Sequence, residues 1–175
     1  MSSDNNLKDL ADFVIRAQGG DTKSMGILIE KTQDRLLRFC IYLTGNQDQA
    51  KDLTQETFVN ALENIKALKD PQAFTGWLMR AAKNLFLNEV KSAKNQGHIN
   101  IDEVSDLIVE EADKDDVLYI RKALANLEPK ARLVMLLVEL EGYSYAEAAK
   151  IMGVSENVVR NTLHEARKDF LKMRR

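Results

Sequence analysis

The stretch that most constrains this chain is Glu141 to Arg175, EGYSYAEAAKIMGVSENVVRNTLHEARKDFLKMRR. Gly142 ends one helix, and Ser144 with Glu147 three residues on forms a capping box that satisfies two orphan amides reciprocally. A short helix, Tyr145 to Met152, then buries Ala148, Ala149 and Ile151. Gly153 supplies a turn in which positive φ is cheap, and Ser155 N-caps a longer second helix. Two helices crossing on small alanines through a glycine turn constitute a helix-turn-helix. At about 100° per residue, Val159, Leu163, Ala166 and Phe170 make the buried stripe of the second helix. Asn157, Asn161, His164, Glu165 and Lys168 occupy the opposite face, flanked by Arg160 and Arg167. Amides and guanidinium groups are the side chains that read base edges and hold phosphates, although a solvated surface helix can carry the same residues.

Composition narrows the rest. In 175 residues there are only 8 Gly and 2 Pro, which argues against a β-rich or loop-rich fold. The single cysteine, Cys40, excludes an internal disulfide framework and a cysteine zinc cluster, and its helical apolar setting reads as core. No metal-spaced set, phosphate loop or nucleophile motif occurs, and His98 and His164 are isolated, so no catalytic residue, metal or cofactor is expected. The chain has no basic-then-apolar leader and no apolar run near eighteen residues, so the expectation is a cytoplasmic protein with no membrane insertion of its own. The net charge of −2 is unevenly spread: residues 102–118 carry a net −7, against +1 before them and +4 after. An acidic segment therefore separates two near-neutral to basic parts.

Helical periodicity organises the N-terminal part. Leu7 to Gln18 is a short amphipathic helix stopped by Gly19-Gly20, and Thr22 to Thr44 is a long one stopped by Gly45. The third helix, Gln47 to Ile65, is expected to turn Phe58, Ala61, Leu62 and Ile65 inward, with Thr54 beside them. Its outer face carries Asp52, Glu56, Val59 and Glu63 with Gln55 at the margin, either plain solvation or a docking face for a basic partner. Asp70-Pro71 opens the fourth helix as N-cap and first helical residue. Phe74, Leu78, Ala81, Ala82 and Leu85 are its expected buried side, and Arg80, Lys83, Lys91 and Lys94 an opposite basic ladder suited to phosphates. Trp77, Asn84 and Asn88 run along the border between them. An aromatic face beside amides and cations suits an unpaired nucleic-acid strand; Trp77 can also serve the core. The helical period fails from Gln96 to about Asp115, and resumes over Val117 to Leu127 and from Pro129 to Leu140. The fold class expected is all-α: two small helical domains joined by an acidic flexible linker, the C-terminal one containing the helix-turn-helix. The boundaries are 1–95, 96–115 and 116–175.

Three segments together resemble a known family: DQAKDLTQETFVNA (Asp48 to Ala61), FTGWLMRAAKNLFLNEVK (Phe74 to Lys91) and LEPKARLVMLLVELEGYSYAEAAKIMGVSENVVRNTLHEAR (Leu127 to Arg167). They resemble bacterial sigma factors of the sigma-70 type, in the small extracytoplasmic-function (ECF) group. The resemblance implies a non-enzymatic factor that binds core RNA polymerase and promoter DNA, with an anti-sigma factor as a further partner. It makes the segment of Asp52, Leu53, Gln55, Glu56 and Phe58 the helix that binds the coiled coil of the largest polymerase subunit, Phe58 supporting it from behind. The polymerase-binding set is then Asp52, Gln55, Glu56, Val59 and Glu63. The fourth helix becomes the element that melts and holds the minus-ten strand, through Trp77, Arg80, Lys83, Asn84, Asn88 and Lys91. The second helix of the helix-turn-helix would enter the major groove at the minus-thirty-five element. There Arg160, Asn161 and His164 fall on the family's DNA contacts, within a face that includes Ser155, Asn157, Glu165, Arg167 and Lys168. The acidic linker is expected to follow the polymerase's nucleic-acid channel.

The chain departs from the family pattern at Asn161, Thr162 and Glu165, where the family commonly has Ser, Arg and Arg. Fewer cations at this face lower the electrostatic share of DNA binding, and an unusual or weakly bound minus-thirty-five element is expected. Two rivals stay open on the residues alone. One is a helix-turn-helix regulator acting without polymerase. The other is an adaptor that only binds polymerase or an anti-sigma factor.

Overall fold

The computed structural model describes residues 2–96 and 114–173. The expected linker lies almost wholly outside the described residues. Eight α-helices make up the described chain: α1 (Ser2–Gln18), α2 (Thr22–Thr44), α3 (Gln47–Asn64), α4 (Phe74–Asn95), α5 (Lys114–Ala125), α6 (Pro129–Met135), α7 (Tyr145–Met152) and α8 (Glu156–Lys172). No strand occurs among the described residues.

Local chemistry sets the boundaries in the N-terminal half. Asp21 caps α2 by accepting from the Lys23 amide at 3.0 Å, and Gly45 closes it in the left-handed region at φ 70°. Asn46 then caps α3. After α3 the chain makes a short 3-10 turn, Ile65–Ala67, clamped from α1 by Gln18, whose Nε2 donates to the carbonyls of Ile65 (2.9 Å) and Leu68 (2.7 Å). Asp70 and Pro71 start the next segment as expected, but as a separate 3-10 turn, Pro71–Ala73, ahead of α4. Leu28, Leu36, Phe39, Cys40 and Leu43 of α2 are fully buried against α3 and α4.

The inward face of α3 departs from expectation. Leu62 is 51% exposed, whereas Thr57 is fully buried; Thr54 lies inward as expected, nearly buried. Both threonine hydroxyls are satisfied within the helix, donating at 2.7 Å to the carbonyls four residues back. Their polar atoms therefore cost nothing to bury, and small β-branched side chains allow α3 to lie close to its neighbours. The core side of α3 is thus Ala50, Leu53, Thr54, Thr57, Phe58 and Ala61, and Leu62 falls past its edge.

The C-terminal half is a second helical layer. Leu133, Leu137, Ala148, Val159, Leu163 and Ala166 are its buried centre. A π-helical turn, Leu136–Leu140, extends α6 and lets the Glu141 amide reach Leu136 O at 3.0 Å. The expected capping box is present: the Ser144 amide donates to Glu147 Oε2 at 2.8 Å and the Glu147 amide to Ser144 Oγ at 3.2 Å. Gly153 turns the chain at φ 69°, and Ser155 accepts from the Val158 amide at 3.3 Å. At the far end Tyr119 of α5 holds α8, donating to Phe170 O at 3.0 Å with the two rings edge to face.

The two halves pack on one another. Helix α2 meets α5 and α6, and α4 meets α6 and α7. Arg132 of α6 spans the seam, donating to Leu43 O at the end of α2 (2.6 Å) and to Ala125 O of its own half (2.8 Å). Arg35 of α2 donates from Nε to Glu141 Oε2 at 2.5 Å, and its guanidinium lies 5.7 Å from the Tyr143 ring centre. Gly76 of α4 gives α7 close access: a Cβ there would sit 3.8 Å from Ile151 Cδ1.

Candidate nucleic-acid and partner interfaces

The first face belongs to α3. Asp52, Gln55, Glu56, Val59 and Glu63 are all exposed, and all five line one open cleft of about 570 Å³ with Asn60, and with Leu85 and Glu89 of α4. Glu89 titrates above the ordinary carboxylate range because burial disfavours its charge and Glu56 and Asp52 repel it. A cleft that already crowds carboxylates gains most from a cationic occupant. Beside it runs an apolar groove between α2 and α3, lined by Ile29, Leu37, Phe58 and Leu62, with Gln55 and Val59 bordering both hollows. Periodicity on α3 alone could not find Leu85 or Glu89, which come from another helix, and it placed Leu62 in the core.

The second face belongs to α4. Arg80, Asn84, Asn88 and Lys91 are exposed, and the partly buried Trp77 ring packs on the core with its centre 6.1 Å from that of Phe74. Trp77 thus serves the core while keeping part of its surface in solvent. Lys83 does not belong to the exposed basic ladder: it is only 7% exposed. Helix α4 is covered on two sides, by α2 and α3 on one and by α6 and α7 on the other, so its buried face is wider than a single stripe. Thr75, Met79, Lys83 and Phe86 are buried within it, whereas Ala81 and Leu85 are only half-buried. Burial, and then the neighbouring Arg80, lower the Lys83 ammonium from its ordinary value.

The third face belongs to α8. Ser155 is spent on the cap, and Asn157, Arg160, Asn161, His164, Glu165, Arg167 and Lys168 are exposed together. The cations here are engaged within the protein. Arg160 pairs with Glu156 at 3.4 Å and lies 5.7 Å from the Tyr145 ring centre, and Lys168 pairs with Glu165 at 3.2 Å. Arg167 donates from Nε to Glu139 at 2.8 Å, a hydrogen bond that raises its already high pKa. Sequence reasoning missed Val154, 40% exposed in the turn before this helix, and Val158, 47% exposed in its first turn. Counting charged and amide residues passes over an exposed valine.

Among the described residues no cluster of His, Cys, Asp or Glu is arranged to hold a metal, and no helix is long and apolar enough to cross a membrane.

Comparison with known proteins identifies the family. Residues 28–96 match the family model "Sigma-70 region 2" and residues 118–170 match "Sigma-70, region 4". The ECF RNA polymerase sigma factor SigE of Mycolicibacterium smegmatis is 33% identical over 154 residues, covering 82% of this chain and 58% of that protein. The ECF RNA polymerase sigma factor BldN of Streptomyces coelicolor is 30% identical over 173 residues, covering 94% of this chain and 66% of that one. The chain therefore spans about 58–66% of the length of these two relatives. In fold it is similar to the sigma factor RpoE of Bartonella quintana, solved with the anti-sigma factor NepR, at a TM-score of 0.76 and 22% identity over 86% of this chain and 96% of that one. With two sigma-70 regions matched in order along one helical chain, and with ECF factors as its relatives over most of its length, the protein belongs to the ECF group of the sigma-70 family.

Proposed function

We propose that this chain is a sigma factor that binds core RNA polymerase and directs promoter-specific initiation of transcription, without being an enzyme itself. The observation that carries this reading is the presence of three separate faces on one chain in the family's order. These are an acidic cleft on α3, an aromatic, amide and basic face on α4, and the exposed side of a helix-turn-helix. An ordinary helix-turn-helix regulator has no use for the first two.

In this reading residues 1–95 dock and open DNA, 96–115 connect, and 116–175 anchor upstream. Asp52, Gln55, Glu56, Val59 and Glu63 bind a basic, partly apolar polymerase helix; the crowded carboxylates of the cleft support this, since a cation relieves their repulsion. Trp77 stacks an unpaired minus-ten base, with Asn84 and Asn88 beside it and Arg80 and Lys91 on phosphates. Lys83, being buried, stands outside this contact set. Helix α8 reads the minus-thirty-five duplex. An anti-sigma partner and a cytoplasmic location complete the proposal.

Run-off transcription with purified core polymerase and genomic fragments tests it. Promoter-specific transcripts should require this protein and be lost in Asp52→Ala/Glu56→Ala, two exposed changes that leave the core intact. Polymerase binding without transcripts would point to the adaptor, and DNA binding without polymerase binding to the regulator.

A further inference from the structure

We propose that Val158 is a specificity-determining residue, forming with Asn157 and Asn161 an uncharged reading edge on α8 that selects thymine through its C5-methyl group. This deepens the assignment of α8 to the minus-thirty-five duplex and rests on it.

Three observations carry the inference. The fold has no use for an apolar residue at 158: α8 is held by Val159, Leu163 and Ala166, and Val158 is 47% exposed and outside the hydrophobic core and its packed margin. A β-branched residue on a solvated helix face is also a weaker helix former than Ala, Lys or Glu. Its neighbours are amides: Asn157 adjoins it and Asn161 lies one turn on, both exposed. Every side-chain bond of α8 described above belongs to other residues, so both amides are available to a ligand. The third observation is electrostatic. Arg160, Arg167, Lys168 and Lys172, the four cations of α8, are each engaged by a carboxylate, from Glu156, Glu139, Glu165 and Asp169.

A nearly neutral face gains little from phosphates and must discriminate at base edges. In the major groove an A·T pair presents the adenine N6 donor and N7 acceptor, which an asparagine matches with two hydrogen bonds. The thymine methyl beside them takes apolar contact. Val158 and Asn161, three residues apart on the helix, lie one above the other and can address both features. A G·C pair offers neither, and leaves the valine facing the bare C5–H edge of cytosine. The N-terminal turns of a recognition helix are the ones that reach base edges, and Val158 lies there.

The experiment uses the full chain bound to core polymerase. A duplex pool randomised over the upstream element is enriched by open-complex formation, and each thymine of the enriched element is then replaced by deoxyuridine, which removes only the methyl. The expected result is one thymine at which this change lowers open-complex formation by about three- to tenfold for the native protein, the scale of one buried methyl group. Val158→Ala should show no loss at that thymine. At the same position cytosine should be poor and 5-methylcytosine should recover part of the loss. Circular dichroism should be the same for both proteins, since residue 158 is exposed. Indifference of the native protein to every deoxyuridine, or an unchanged loss in Val158→Ala, overturns the proposal while leaving α8 as the upstream reader. If no upstream sequence is enriched although transcripts form, the assignment of α8 fails and this inference with it.

Discussion

Replacing Arg35 with methionine removes the cation that, among the described residues, pairs with Glu141 across the seam between the two halves. The Glu141 side chain is 1% exposed; Arg35 Nε reaches its Oε2, and its Oε1 is buried with no partner among the described residues. Without the guanidinium this buried carboxylate is left without its charge partner. Breaking a fully buried ion pair costs about 3–5 kcal/mol, but the Arg35 side chain is 38% exposed, so water softens the loss to about 2–3 kcal/mol. The cost has a ceiling, because the halves can part and hydrate Glu141, so it cannot exceed what their packing contributes. Glu141→Gln removes the charge, keeps an acceptor for Arg35, and should cost about 1 kcal/mol or less. The double variant should resemble Glu141→Gln alone, so the coupling should equal the Arg35→Met cost, about 2–3 kcal/mol. Equilibrium unfolding in urea measures all four proteins, and a smaller m-value in Arg35→Met would report halves already parted in the native state. An Arg35→Met cost below about 0.5 kcal/mol, with additive single changes, would refute the argument.

Further outcomes follow from three other parts of the molecule. Gly76→Ala should stabilise the protein by about 0.5–1 kcal/mol, because the position is helical and the new methyl meets Ile151 at an ordinary contact distance; thermal melting checks it, and a loss would mean that α4 and α7 approach more closely. Cys40 is fully buried and burial pushes its thiol up to about 12, so iodoacetamide at pH 8.5 should label only the unfolded chain. Above about pH 9 the unfolded thiol loses its proton and the native one does not, so this contribution to stability should fall as pH rises toward 12. Glu165→Arg frees Lys168 and adds a cation, so DNA affinity at low salt should rise and the salt slope steepen by about 1–2, with an unchanged slope counting against a DNA-facing position.

What could be read from the sequence was whatever is decided within a few residues. The Ser144–Glu147 box, the Gly153 turn, the Ser155 and Asp70 caps and the Gly45 stop of α2 all depend on local spacing, and all are present. The five residues expected on one side of α3 do line one cleft, because helical geometry dictates it. Leu62 falls outside the core because Thr57, polar by composition but satisfied by its own helix, takes the buried place beside Thr54. Lys83 was misplaced because a second layer covers α4, and no single helix announces how many neighbours it will have. Arg35 meets Glu141 and Arg132 meets Leu43 across 106 and 89 residues, and such pairings leave no periodic trace in one sequence.

Helix α7 finishes itself at both ends, by the box at Ser144 and the left-handed turn at Gly153, and α8 is anchored by three inward residues and a Tyr119 bond to its backbone. The outward side chains of α8 therefore contribute almost nothing to folding, and substitutions there should shift stability by no more than about 0.5 kcal/mol. Such a helix resembles a key blank. Its shank is fixed by the lock body, and its teeth can be recut one at a time, so descendants of one ancestor can come to recognise different partners without passing through an unfolded intermediate.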